Sequence, residues 1–251
     1  MSAYYNTFAF GELRKWQGEM LQSPSFLNAV ARKLQYKINS YIPDKVHAAI
    51  TATIKQMTRA MLFGAGLVTT KPLEGLSLQQ RELMVQDRIK FYQNAAAAEG
   101  GITGAGGILL GFADFPLLLS LKLKLLFEIS AIYGYDAADY RERVYLLHIF
   151  QLAFSSHEHR REVYLQMEDW ETKKQHLPED IDQFNWRAFQ QEYRDYIDLA
   201  KMAQMIPLVG APIGAVVNYR LLKKLGNTAM NAYRMRWKEQ QLISSAAAPK
   251  L

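Results

Sequence analysis

An all-α fold is predicted by three features of the sequence. Apolar residues recur three and four positions apart, the spacing of one buried helix face, through most of the chain. Residues that start and stop helices bracket those runs. No stretch alternates apolar and polar residues as a half-buried strand does, and no Asn-Gly hairpin signal occurs.

The elements follow in order. Ser23 and Pro24 supply an N-cap and a first-turn proline, after which Leu27, Val30, Ala31, Leu34, Ile38 and Tyr41 share a face. Pro43 and Asp44 open a helix whose stripe is Val46, Ile50, Ile54, Met57 and Met61. Phe63 to Leu76, holding Gly64, Gly66, Pro72 and Gly75, reads as a loop. Ser77-Leu-Gln-Gln80 is a capping box for a helix to about Ala98. A glycine-rich apolar segment follows. Asp114, two residues before Pro116, is expected to cap a new helix through Ile132, which Gly134 ends at its C′ position. Asp139 starts a helix to about Phe154, and Ser156 to Gln175 reads as helix, charged and mostly solvated. Leu177 to Phe184, with Pro178, is a loop before two last helices, Trp186 to Met205 and Ala215 to Gln240. The prediction is a single multi-helix domain over residues 1–243, with two central Gly-rich apolar helical segments. A disordered tail is expected at 244–251.

The 251 residues suffice for a substantial core, and 49% hydrophobic with 22% charged residues is globular composition. The formal charge of +6 suits a nucleic acid or an anionic membrane surface without demanding either. With no cysteine, a disulfide framework, thiolate catalysis and thiolate-bound zinc are excluded. The first twenty residues have neither the basic n-region nor the apolar h-region of a signal peptide, so a cytoplasmic location is expected.

Ala95 to Phe127 is the most apolar stretch, yet it is crowded with glycines and holds Glu99, Asp114 and Pro116. A glycine costs about 1 kcal/mol relative to alanine inside a helix, so these positions ask for a reason. Gly100 and Gly104, Gly107 and Gly111, and later Gly210 and Gly214 are each four apart. That spacing lines them on one face, where a neighbouring helix can approach at backbone distance. Ile102 to Leu121 has the length of a bilayer span. Its glycines, Thr103, Pro116 and above all Asp114 favour burial in the protein or shallow contact with a membrane surface instead.

Glu99-Gly-Gly-Ile-Thr-Gly-Ala-Gly-Gly107, Ala113-Asp-Phe-Pro116 and Tyr133-Gly-Tyr135 resemble the signature of the EcsC family of bacterial proteins. Pro207-Leu-Val-Gly210 and Gly214-Ala-Val-Val-Asn218-Tyr219 resemble that family's second motif, and the match runs from about Glu12 to Trp237. The resemblance implies an operon link to an ABC transporter that affects secretion and regulated intramembrane proteolysis. It implies no established catalytic activity. On this chain the motif positions are Glu99, Gly100, Thr103, Gly104, Gly107, Asp114, Pro116, Gly210, Gly214 and Asn218.

Motifs for chemistry are few. Gly104-Ala-Gly106-Gly-Ile-Leu109 has leucine where G-x-G-x-x-G needs its last glycine, and no G-K-[ST], H-E-x-x-H or G-x-S-x-G occurs. His157 and His159, two apart on a helix, point roughly 200° from each other and do not suit a shared metal. No cofactor or metal is expected. Asp114 is read as a cap and Glu99 as a paired carboxylate; convergence of both with Glu128 would instead permit acid–base work. Asn218 is read as a satisfied hydrogen-bonding group.

Arg220, Lys223, Lys224, Arg234 and Lys238 share one face of the last helix, with Asn227 and Asn231 between them. They are read as a contact to an anionic surface, lipid headgroups or an acidic partner, and Lys122 and Lys124 are expected to snorkel at the same interface. Nucleic acid is disfavoured, because no recognition motif accompanies the charge. The expectation is a non-enzymatic cytoplasmic accessory protein acting at the membrane face beside an ABC transporter. The alternative is a hydrolase that works on a membrane-associated or peptide substrate through Glu99 or Asp114.

Overall fold

The computed structural model describes residues 2–22, 44–63, 70–104, 107–155, 159–183, 185 and 211–247. Among them are eight α-helices and no strand: α1 (Ser2–Leu21), α2 (Asp44–Phe63), α3 (Leu78–Gly104), α4 (Gly107–Ile132), α5 (Tyr140–Phe154), α6 (Arg160–Met167), α7 (Trp170–Lys173) and α8 (Ala211–Ala247). The all-α class is as predicted. The expected helices after Ser23 and Trp186 lie outside the described residues, as do Gly210, His157 and residues 248–251.

Local signals set several boundaries. Ser77 donates its N–H to Gln80 Oε1 at 3.0 Å and accepts from the Gln80 N–H at 3.3 Å, a closed capping box at the start of α3. Helix α4 ends in a Schellman motif: the Gly134 N–H reaches the Ala131 carbonyl at 2.9 Å and the Tyr135 N–H reaches Ser130 at 3.0 Å. Gly134 sits at φ +89°, where a side chain is strained. Asp139 caps α5 by accepting from the Arg141 N–H at 2.9 Å.

Other boundaries moved. Helix α3 runs past Ala98 through the glycines to Gly104, and α4 begins at Gly107. Asp114 and Pro116 therefore lie inside α4, and Asp114 is not its N-cap. A cap is worth about 1 kcal/mol, too little to interrupt a long helix whose propagation is cooperative. Helix α8 starts four residues earlier than expected and continues to Ala247, into the stretch expected to be disordered. Helix α1 was not foreseen. Its signal is the spacing of Ala9, Leu13 and Met20, all buried, with Trp16 half-buried between them.

Helix α8 lies chiefly along α3, which packs on α4, and α8 also touches α5, α4 and α1. The core gathers around α5, whose Val144 to Phe154 is buried throughout. One contact is unusually close. A Cβ at Gly226 in α8 would stand 2.5 Å from Ile89 Cγ1 in α3, so glycine is what lets these helices meet. Among the described residues, no helix is long and apolar enough to cross a membrane.

Candidate functional site

The basic stripe of α8 divides into two halves. At its C-terminal end Arg234 is buried and grips Glu82 of α3 with two bonds, Nε to Oε1 at 2.6 Å and Nη2 to Oε2 at 2.5 Å. Glu82 also accepts from the Tyr5 hydroxyl at 2.7 Å. Burial and the neighbouring Glu82 push the Tyr5 hydroxyl up to about 12. Burial pulls the Arg234 guanidinium down, but its hydrogen bonds and charge pairing with Glu82 outweigh this and leave it more firmly protonated.

Two residues on, Arg236 joins two further carboxylates. Its Nη1 donates to Glu142 Oε2 at 2.6 Å and its Nε to Glu171 Oε1 at 2.7 Å. The guanidinium lies 3.5 Å from the centre of the Tyr135 ring and 4.8 Å from that of Tyr145, a cation–π stack. Tyr233 and Ser130 complete the bonds to Glu142 Oε1, at 2.5 and 3.2 Å. Burial alone would raise the Glu171 carboxyl; Arg236 and Lys174 reverse that and hold it low. Carboxylates held this way are clamps between helices. Their oxygens are committed to guanidinium and phenol donors, which leaves them poor general bases.

The N-terminal half of the stripe is different. Arg220, Lys223 and Lys224 are exposed and line a cleft of about 400 Å³ between α8, α1 and the start of α6. Arg160 enters from α6 and Glu19 from α1, while Trp16, Met20 and Leu152 supply an apolar wall. Burial lowers the Arg160 guanidinium, and Glu19 partly restores it. Elsewhere on α1 and α8, Leu21, Val216 and Tyr219 leave sizeable apolar surface in solvent. Of these cleft residues, Arg220, Lys223, Lys224 and Asn227 are legible in the sequence as one helix face. Trp16 and Met20 were legible only as part of the helical spacing of α1.

The remaining candidates scatter. Lys122 is fully buried and so does not snorkel at a surface, whereas Lys124 is exposed. Lys238 is half-buried. Arg234 belongs to the buried clamp instead of the anionic-surface contact. Glu128 accepts from the Tyr92 hydroxyl at 2.6 Å and lies 3.8 Å from Arg88, a paired group at the rim of α4. Asn218 is fully buried. The backbone places Glu99, Gly100, Thr103 and Gly104 at the end of α3, Gly107, Asp114 and Pro116 in the first half of α4, and Gly214 in the first turn of α8. The side chains of Glu99, Thr103, Asp114 and Pro116 lie outside what is described.

Comparison with known proteins settles the family. A model of the EcsC protein family matches residues 8–237. The chain belongs to the EcsC protein family. It is 43% identical over 232 residues to Protein EcsC of Bacillus subtilis (strain 168), covering 92% of this chain and 95% of that one. It is also 27% identical over 219 residues to the uncharacterized protein YdbA of the same organism, covering 85% of this chain and 79% of YdbA. No solved structure matches the chain at a significant level.

Proposed function

We propose that this EcsC-family protein is a non-enzymatic accessory protein that works on the cytoplasmic face of the membrane, in association with an ABC transporter that affects secretion. The observation that carries the reading is the exposed basic end of α8. Arg220, Lys223 and Lys224 stand there beside exposed Val216 and Tyr219, the mixture of cations and amphipathic side chains that suits an anionic interface. The commitment of Glu82, Glu142 and Glu171 to buried arginines supports a scaffold over a catalyst. Family membership supports the transporter association, through the resemblance of the Glu99–Gly107 and Gly210–Tyr219 motifs.

Fractionation of cells into soluble, salt-released and detergent-released pools tests the location. Salt release is expected, because each cation near an anionic surface contributes on the order of 1 kcal/mol that screening removes. Recovery wholly in the soluble pool, or only with detergent, would overturn the peripheral reading. Co-purification with the transporter subunits from the same cells tests the association, and its absence from crosslinked membranes would remove the transporter as partner.

A further inference from the structure

The cleft between α1, α6 and α8 combines two features that a diffuse surface contact does not need. It is a concavity of about 400 Å³, within the size range of small-ligand sites. It also pairs a cationic side with an apolar side. Arg220, Lys223 and Lys224 project from successive turns of α8, at positions i, i+3 and i+4. Among the described lining residues four cations, Arg160, Arg220, Lys223 and Lys224, stand with one carboxylate, Glu19, which acts on Arg160. Facing these groups stand Trp16 and Met20 of α1 and Leu152 of α5.

We infer that this cleft binds a phosphate-bearing amphiphile, with the phosphate held by Arg220, Lys223 and Lys224 and the first part of its apolar chain laid against Trp16, Met20 and Leu152. The inference rests on the membrane-face reading for the source of the ligand, an anionic lipid of the bilayer. A phosphate suits the cationic side because guanidinium and ammonium donors bind it with charge-assisted hydrogen bonds. A free inorganic phosphate would leave the apolar wall against water. An extended acidic peptide would spread its charges, whereas three cations within two turns of one helix match a single compact anion. Val216, exposed one turn before Arg220 on α8, would meet the acyl region as the headgroup enters.

The test uses the full chain and separates the cleft from the membrane. Dihexanoyl phosphatidylglycerol, kept below its micelle concentration, is titrated calorimetrically beside dihexanoyl phosphatidylcholine and inorganic phosphate. Saturable binding of the phosphatidylglycerol at one site per chain is expected, with inorganic phosphate weaker by roughly tenfold or more for want of the chain. Arg220→Gln and Lys223→Gln, at exposed positions, should each raise the Kd by roughly fivefold. Equal binding of inorganic phosphate, indifference to the two substitutions, or no saturable binding would each overturn the proposal. In parallel, the protein is sedimented with vesicles of phosphatidylglycerol and phosphatidylcholine. Vesicle binding without monomer binding sinks the cleft and leaves the membrane-face reading standing. Monomer binding without vesicle binding upholds the cleft and sinks that reading.

Discussion

The two halves of α8 carry the same residue types and use them in opposite ways. Around Arg234 and Arg236 the helix is buried, and each guanidinium meets carboxylates from other helices. Around Arg220, Lys223 and Lys224 it is exposed and borders a cleft with an apolar wall. The difference lies in what faces the helix. Glu82, Glu142 and Glu171 come from α3, α5 and α7, so a charge becomes structural only where the fold brings an acid to it. At the other end the cations are exposed to solvent at the cleft, where a ligand can reach them.

The largest effects should come from breaking the buried half. Arg234→Leu leaves Glu82 without its bidentate partner, and Arg236→Leu leaves Glu142 and Glu171. Stranding a buried charge costs about 3–5 kcal/mol, which for a chain of this size is on the order of 10 °C in Tm. Urea unfolding of each single variant and of Glu82→Leu with Arg234→Leu checks this. The double variant should recover part of the loss, because neither charge is then left alone. Strictly additive losses would show that the pair contributes no coupling and that α8 is held there by packing alone.

A second difference is acid sensitivity. His148 on α5 is buried against Trp170, and desolvation, despite its contact with Gln151, lowers it to about 4 from the ordinary 6.5. The unfolded chain takes up a proton as pH falls through 6.5, while the folded chain stays neutral there until about 4. Stability therefore falls between those values and levels off below, by an amount on the order of 3 kcal/mol. Tm measured from pH 7 to 4.5 should drop for the parent chain and drop much less for His148→Gln. Parallel curves would mean that other groups carry the acid sensitivity.

Much of the frame was legible because its signals are local. The Ser77–Gln80 box, Gly134 and Asp139 act within a few residues of themselves, and each sits where the spacing placed it. Asp114 misled for the same reason: a local cap signal was read without the cooperative helix around it. The site was harder. Helical spacing groups Arg220 with Arg234 on one face, yet only tertiary contact says which end is covered, and Glu82 is far away in the chain. The same holds for Lys122. Its neighbours Leu121 and Leu123 suggested an interface, but α4 turns that position inward.

Gly226 marks the junction of the two halves, and its substitution should have a middling effect. A methyl there would press on Ile89 Cγ1 at 2.5 Å and Cδ1 at 2.6 Å. Overpacking of this kind costs about 1–3 kcal/mol, against a gain of about 1 kcal/mol in helix propensity from Gly226→Ala. A net loss is expected by thermal melt, and Gly226→Ala combined with Ile89→Ala, which removes the contacting carbons, should cost less than the sum of the two single changes. A variant as stable as the parent would show that α3 and α8 can separate there freely.

The smallest effect, and the one that most sharpens the contrast, belongs to the exposed half. Arg220 stands three residues before Lys223 and four before Lys224 on one helix face, and like charges at those spacings repel by roughly 0.2–0.5 kcal/mol per pair. Neutralising Arg220 and Lys223 together leaves these exposed positions without a stranded buried partner, so stability should change by less than about 0.5 kcal/mol. The sign matters more than the size. Relief of repulsion makes the Arg220→Gln, Lys223→Gln variant slightly more stable than the parent at low salt. Added salt screens the same repulsion, so the parent should gain in Tm as sodium chloride rises while the variant gains less. Loss of more than 1 kcal/mol on neutralisation would place these cations in the fold's own ion pairs, beside Arg234 and Arg236. A small gain would identify them as charges kept at a cost to stability, which is what a ligand-binding cluster predicts.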